Sequence, residues 1–409
     1  MLVYEYKVSG TKQQYAAIDE AIRIVQFIRN KSLRVWMDNR GTSKNDLQTN
    51  CALLAKEYPF ASRLNSMARQ ASADRAWFAI ARFYENCKTK KPGKKGYPRF
   101  QKNNRSVEYK TSGWKLDHDG KHIMFTDGCG IGRLKLIGNK KQRIEAFPVK
   151  QIKRMRLVKR ADGYYAQACV ETERTVEHIP SGKQTGIDVG LKTYLTDSEG
   201  QTIENPRQYR KAEKKLALLR RRLSRKQKTS ANRKKAQKRL AKHHLKVQRQ
   251  REDFARKVAN AYVSSHDLIA YEDLQIRNMV RNRKLAKSIH DAGWGIFLHW
   301  VKRYGLLHAI PIIAVPPHYT SQACSDCGTI VKKSLSVRTH ICPGCGVVLD
   351  RDHNAALNIL QKALQKGTEG HSGTGGRKNP SNASGQIAST ASPSRESGKR
   401  TGRRKNPCH

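Results

Sequence analysis

The sequence predicts an α+β protein built from several domains. Along the chain the hydrophobic period switches from two residues to about 3.6 and back, so strands and helices come in blocks. Three short apolar segments, far apart, each deliver acidic side chains to a strand end or a helix start. Four cysteines form two close pairs between the second and third of these segments. At 409 residues the chain has room for two to three domains of roughly 150 residues.

In order, Leu2-Val3-Tyr4-Glu5-Tyr6-Lys7-Val8 reads as a strand with Leu2, Tyr4, Tyr6 and Val8 on one face. From Lys12 the period becomes helical through Tyr15, Ile18, Ile22, Val25 and Ile28 to Trp36, with Gly41 as the stop. Ser43 opens a second helix, with Asp46 in a capping-box position. A third helix is expected over 61–87, followed by the basic turn Lys88-Thr89-Lys90-Lys91-Pro92-Gly93-Lys94-Lys95-Gly96. Short strands are expected at 106–110, 122–125, 133–137, 152–159 and 164–171. Arg154, Arg156 and Lys159 alternate there with Ile152, Met155, Leu157 and Val158. Either a basic sheet face toward nucleic acid or a plainly solvated face fits that pattern. Residues 207–257 carry 22 Lys/Arg against 3 Asp/Glu, a net +19. A leucine stripe through this block (Leu216, Leu219, Leu223, Leu240) predicts a packed helical hairpin turning at 229–232 rather than a disordered charge run. Residues 367–409 hold no aromatic and one large aliphatic residue, Ile387, and are expected to be disordered.

The formal charge is +48, one uncompensated positive charge for every eight or nine residues. Self-repulsion of that size opposes compaction, and a polyanionic partner is its ordinary reason. No apolar run approaches the ~18 residues of a membrane span, and the N-terminus has no signal-peptide pattern. The expectation is a cytoplasmic, nucleoid-associated prokaryotic protein that binds nucleic acid and no membrane. Nine cysteines, an odd number without an export signal, argue against a disulfide framework.

The chemistry lies in the acidic segments. Thr185-Gly186-Ile187-Asp188-Val189-Gly190 is a strand bearing one carboxylate, followed by strand-like 193–196 and 202–204 in a meander. Leu268-Ile269-Ala270-Tyr271-Glu272-Asp273 is an apolar strand ending in two acids. Asp350-Arg351-Asp352-His353-Asn354 opens a good helix, with Asp352 at or near its N-cap. A buried strand-end carboxylate is costly unless it is paired or binds metal. Three together repel unless cations neutralise them, and hard oxygen ligands suit Mg²⁺ or Mn²⁺. Two such ions roughly 3.5–4 Å apart can cleave a phosphodiester. Taken singly, the same acids read as a salt-bridged Asp188, a turn acid Glu272 and a helix cap Asp352. Cys324-x2-Cys327-x14-Cys342-x2-Cys345 has four-thiolate zinc spacing. With every ligand supplied by protein, that zinc is expected to be structural.

The order of strand with Asp, meander, strand with Glu, helix 292–308, strand 310–315 and helix with Asp is the layout of RNase H-like nucleases. The chain resembles the transposon-encoded TnpB proteins, relatives of the type V CRISPR effectors with a split RuvC-like nuclease. The matching residues are Gly186-Ile187-Asp188-Val189-Gly190, Tyr271-Glu272-Asp273-Leu274, Asp291-Ala292-Gly293-Trp294-Gly295, Thr320-Ser321-Gln322-Ala323-Cys324 and 350–359, with Gly96-Tyr97-Pro98-Arg99-Phe100 upstream. The resemblance implies an RNA-guided DNA endonuclease with catalytic Asp188, Glu272 and Asp352. It implies two Mg²⁺ (or Mn²⁺) ions at that site, one structural Zn²⁺, a guide RNA and double-stranded target DNA. It also implies a β-barrel-like wedge domain (1–9 and 106–182), a helical recognition domain (10–105) and a RuvC-like nuclease domain (183–366). The nuclease domain would carry the basic hairpin (207–265) and a zinc-ribbon module (318–349). Arg338, Lys332 and Lys333 of that module are candidates for touching the scissile strand. Two alternatives stay open at this point: a non-catalytic DNA-binding accessory factor of transposition, and an unguided nuclease.

Overall fold

Leu2–Ser9 forms β1, and its buried residues Tyr6 and Val8 fall on the face that the period-two pattern assigns to the core. Lys12–Asp38 forms α1, opened by a reciprocal capping box between Thr11 and Gln14. Lys44–Glu57 forms α2, with the Ser43–Asp46 box that the sequence predicts. The single helix expected over 61–87 is instead two: α3, Pro59–Ser62, and α4, Ser66–Lys88. Asn65 separates them because its side chain caps the second by accepting from the Met67 amide at 2.9 Å. The strands β2 (Ser106–Tyr109), β3 (Trp114–Leu116), β4 (His122–Phe125), β5 (Gly132–Ile137), β6 (Ile152–Arg160) and β7 (Gly163–Val170) follow. With β1 they form a seven-stranded antiparallel sheet in the order β2-β6-β7-β1-β5-β4-β3. Helical residues such as Ile18, Ile24 and Ile28 share one core with Val107, Leu134 and Leu157 of this sheet.

The computed structural model describes residues 2–138, 144, 147–172, 176–334 and 336–369, with side chains to residue 365. Among the described residues, those up to Ala363 form one compact unit. Beyond 369 the expected tail lies outside the described residues. No helix among the described residues is long and apolar enough to cross a membrane.

Arg154, Arg156 and Lys159 of β6 are ion-paired, the two arginines half-buried and Lys159 exposed. Arg154 and Arg156 both bind the buried Glu108 of β2, joined by Arg75 from α4, and Lys159 pairs with Asp19. Burial alone would raise the Glu108 carboxyl, but Arg75, Arg156 and Arg154 outweigh it and hold the group at about 2. This knot ties the helical insertion to the sheet.

Gln184–Asp188 (β8), Thr193–Asp197 (β9) and Thr202–Glu204 (β10) make the expected meander. The basic block is a hairpin of α5, Gln208–Ser224, and α6, Ala231–Ser265. Its turn falls slightly earlier than expected, since Ser230 caps α6 by accepting from the Arg233 amide. Leu268–Glu272 (β11) precedes α7 (Ile276–Met279), α8 (Ala286–Ala292), α9 (Trp294–His308) and Ile312–Val315 (β12). The helix expected over 292–308 thus starts two residues later, where Gly293 takes φ +71° between α8 and α9. Thr339–Ile341 (β13) and Val348–Asp350 (β14) form a small hairpin leading into α10, Arg351–Glu369.

The second sheet runs β10-β9-β8-β11-β12, antiparallel through β8 and parallel from β8 to β12. Alternation sorts its side chains into two cores. Ile187 and Ile269 pack toward α6 and α9, whereas Ala270 and Val315 pack under Ile359 and Ala363 of α10. At Gly186 the helix rests on the strand backbone: an added Cβ would lie 2.1 Å from the Ala356 carbonyl oxygen and 2.7 Å from the Leu360 nitrogen.

Gly186→Ala is therefore expected to destabilise the fold by about 3 kcal/mol, because backbone atoms cannot yield as side chains do. Gly295→Ala, whose Cβ meets only Ile276 at 3.9 Å, serves as the near-neutral control; urea denaturation distinguishes them. The Glu108 knot has a pH signature. Its folded pKa is depressed, so its stabilisation is complete above about pH 4.5 and fades as pH falls toward 2. Glu108→Gln should cost about 3 kcal/mol at neutral pH and progressively less below pH 4.5, as read from denaturation midpoints across that range.

Candidate functional site

β8 and β11 are parallel neighbours with Ala270 opposite Gly186 and Tyr271 opposite Ile187. The next step in that register sets Glu272 beside Asp188, both at carboxyl ends of strands and both on the α10 face. Such strand ends are where open α/β sheets place their ligand crevice. The approach of α10 at Gly186 then brings its first turn over the same strand ends, with Asp352 Oδ2 3.8 Å from where a Gly190 Cβ would stand. The structure thus brings Asp188, Glu272 and Asp352 together from positions 84 and 80 residues apart in sequence. Their oxygens do not all close within 4.8 Å; among the described residues only the four cysteines and the Asp117, Asp119, His122 group do so. That second group already has protein partners, Arg133 on Asp117 and the His122 ring on Asp119.

The electrostatics record the repulsion. Burial, then the charges of Glu272 and Asp352, push Asp188 up to about 8 against the pull of Arg351 and Arg338. Burial also raises Glu272, opposed by the Thr320 hydroxyl that donates to it and by Lys362. Asp352 is held by guanidinium groups: Arg338 reaches its two oxygens at 3.2 and 3.0 Å, and Arg351 reaches one at 3.2 and 3.0 Å. The helix cap is Asp350, which accepts from the Asp352 amide at 2.8 Å and the His353 amide at 3.4 Å. Asp352 is therefore not the cap but sits inside the first turn, and capping by its neighbour leaves it available to the cluster. Asp273 is exposed, its amide pairing with the Val315 carbonyl at 2.9 Å.

The segment 291–295 supports this arrangement. The Asp291 carboxylate accepts from the Tyr209 and Arg210 amides at 2.7 and 3.1 Å, capping α5 from another helix. The Trp294 indole donates to the Gly190 carbonyl at 3.2 Å, just past Asp188.

Four further residues could not be assigned from spacing in β13–α10 and its approach. Asn354, Asn358 and Gln361, at i, i+4 and i+7 on α10, bond the backbone of Thr320, Ala323 and Ser325, and Thr320 contacts Glu272. The available signal was a pair of asparagines one turn apart on the otherwise largely apolar buried side of an amphipathic helix.

Cys324, Cys327, Cys342 and Cys345 form one cluster. Cys324 Sγ lies 3.6 Å from Cys345 Sγ, and Cys327 Sγ 3.5 Å from Cys342 Sγ. A tetrahedron with Zn–S of about 2.3 Å has edges of about 3.8 Å, so the spacing fits zinc. Hydrogen bonding at Thr329 brings Cys327 down to about 6, toward the thiolate a metal requires. The backbone at Gly328 and Gly346 turns with φ +78° and +77°, a conformation glycine adopts freely.

Comparison with known proteins agrees with the sequence resemblance. Residues 167–283 match the OrfB_IS605 family, described as a probable transposase. Residues 294–359 match the Cas12f1-like TNB domain. Over these two regions the chain is similar to both families. A protein of Streptomyces pristinaespiralis, provisionally named an RNA-guided DNA endonuclease, is 29% identical over 377 residues, covering 88% of this chain and 89% of its own. InsQ of Escherichia coli K12, given the same provisional name, is 28% identical, covering 69% of this chain and 71% of its own. A Cas12f1 solved in complex with single guide RNA and target DNA aligns over 85% of this chain and 83% of its own, with TM-score 0.52 and 15% identity. That likeness is one of fold: mixed helix and sheet in a common arrangement.

Metal analysis of the purified protein is expected to return one zinc per chain. Cys327→Ser should lower zinc retention, whereas serine in place of the isolated, buried Cys51 should not.

Proposed function

We propose that this chain is a transposon-associated RNA-guided DNA endonuclease whose acids Asp188, Glu272 and Asp352 hydrolyse phosphodiester bonds. The observation that carries the proposal is the convergence of these three carboxylates on one face at the ends of β8 and β11 and the start of α10. A protein that only bound nucleic acid would have no reason to gather carboxylates where phosphates must lie. Hard oxygen donors, and an Asp188 raised to about 8 by burial and then by the charges of Glu272 and Asp352, fit divalent cations of the Mg²⁺ or Mn²⁺ type. When bound, such ions supply charge neutralisation and a nucleophilic water at neutral pH.

The chain's own residues do the rest. Asp188, Glu272 and Asp352 hold the cations; Thr320 orients Glu272, and Asp350 caps α10 so that Asp352 is presented inward. Arg338 and Arg351, the former partly exposed, place positive charge where an incoming phosphate would lie. In this reading the five-stranded sheet with α6, α9 and α10 is an RNase H-like nuclease domain over 183–366. The basic hairpin 207–265 and the zinc-ribbon module 318–349, with one structural Zn²⁺, are inserted into it. The seven-stranded sheet (1–9 and 106–182) serves as the wedge and the helices of 10–105 as the recognition unit. Together they hold a guide RNA that pairs with one strand of double-stranded target DNA. Such a duplex is recognised through backbone and shape, which suits a charge of +48. The protein would act in the prokaryotic cytoplasm, at the nucleoid.

The direct test is to express the chain with its native flanking DNA and sequence the RNA that purifies with it. One species with a constant scaffold and a target-matching end supports guided activity. A mixture of cellular RNA favours an unguided nuclease or an accessory binder. Asp188→Ala should then reduce Mg²⁺-dependent cleavage by about 10⁴-fold or more while RNA binding is unchanged. Binding should weaken linearly in log affinity against log salt.

A further inference from the structure

Glu272 and Asp352 reach the acid cluster on unrelated segments, yet each is fastened to a different half of the cysteine module. The first half, with Cys324 and Cys327, is entered through 320–325. That strap is held by a ladder of α10 side chains. Asn358 Nδ2 donates to the Thr320 and Ala323 carbonyls, both at 2.8 Å. Asn354 donates to the Ala323 carbonyl at 2.8 Å and accepts from the Ser325 amide at 2.9 Å. Gln361 donates to the Ser325 carbonyl at 2.7 Å. So fixed, Thr320 is fully enclosed and its hydroxyl donates to Glu272. The second half, with Cys342 and Cys345, is the turn of the β13–β14 hairpin. Its outgoing strand runs straight into α10, with Asp350 as cap and Asp352 two residues on. The Arg351 amide bonds the Arg338 carbonyl of the incoming side at 2.6 Å, and the Arg338 side chain lies on Asp352.

A metal joining the four sulfurs would therefore join the two supports. We propose that zinc in the cysteine module sets the spacing of Glu272 and Asp352 and thereby the affinity of the acid cluster for divalent cations, with Thr320 and Asn358 as positioning residues. The inference rests on the reading of Asp188, Glu272 and Asp352 as cation ligands. Residues that orient ligands from behind typically change metal affinity 10- to 100-fold when removed.

The experiment is a Mn²⁺ titration of the full chain with its RNA, following the free-ion signal by electron paramagnetic resonance, with zinc content and melting temperature measured in parallel. Thr320→Val keeps the shape and removes the hydroxyl. It should weaken Mn²⁺ about tenfold with zinc retained, and excess Mn²⁺ should restore cleavage. Thr320→Ser, which keeps the hydroxyl, should restore affinity. Asn358→Ala provides a second route, loosening the strap. Cys327→Ser should lose zinc and Mn²⁺ affinity together, while Asp326→Ala, an exposed change in the same module, should alter neither. Unchanged Mn²⁺ affinity in Thr320→Val and in Cys327→Ser would overturn the inference, as would a fall in melting temperature with no change in affinity. Failure of the unaltered chain to bind Mn²⁺ at all would instead remove the cation-ligand reading beneath it.

Discussion

The contact on which the acid cluster depends is the approach of α10 to the backbone of β8 at Gly186. A side chain there would lift the helix. Because it lies flat, its first turn overhangs the strand ends and Asp352 meets Asp188 and Glu272. Its next turns present Asn354 and Asn358 to the strap before the first cysteine pair. Glycine at this position is thus an element of the site, although it carries no functional group. The same closeness explains the run of alanines on the helix, since Ala355, Ala356 and Ala363 are all buried against the sheet.

Charge is managed in two different ways on the two sheets. In the first, an excess of arginine surrounds one buried carboxylate, and Glu108 stays ionised well below the usual range. In the second, three acids share an enclosed site, and burial, then Glu272 and Asp352, push Asp188 far above it. The first arrangement is complete as it stands and fastens helices to strands. The second leaves Asp188 without a cation of its own among the described residues, since Arg338 and Arg351 are taken by Asp352, and a buried carboxyl shifted in this way marks a candidate binding site rather than a structural ion pair.

Much of this was legible in the chain. β1 announces itself by period two, β8 and β11 by short apolar runs between turns, and the three acids by falling at the ends of such runs or at a helix start. The cysteine spacing is equally plain. What escaped has physical reasons. β3 is three residues long, too short to show a period. The break at Asn65 is masked because Leu64, Met67 and Ala71 keep helical spacing across it. The arginines of β6 look solvent-facing because their partner Glu108 lies 46 and 48 residues away. Division of labour between Asp350 and Asp352 depends on which backbone amides each carboxylate reaches, and spacing alone does not contain that.

The position of β1 bears on how the protein comes into being. Of the described strands of its sheet it is made earliest, yet it lies in the interior, between β7 and β5. Ribosomes add about 5–20 residues per second, so roughly 10–30 s pass between synthesis of β1 and of β7. During that interval both edges of the strand lack their partners, while the helices α1 to α4 can already close local contacts. The nascent chain is therefore obliged to shield an early strand behind an early helical cluster. The sheet is complete only once its late strands are made, whereas the helices that share its core rest on contacts closer in sequence.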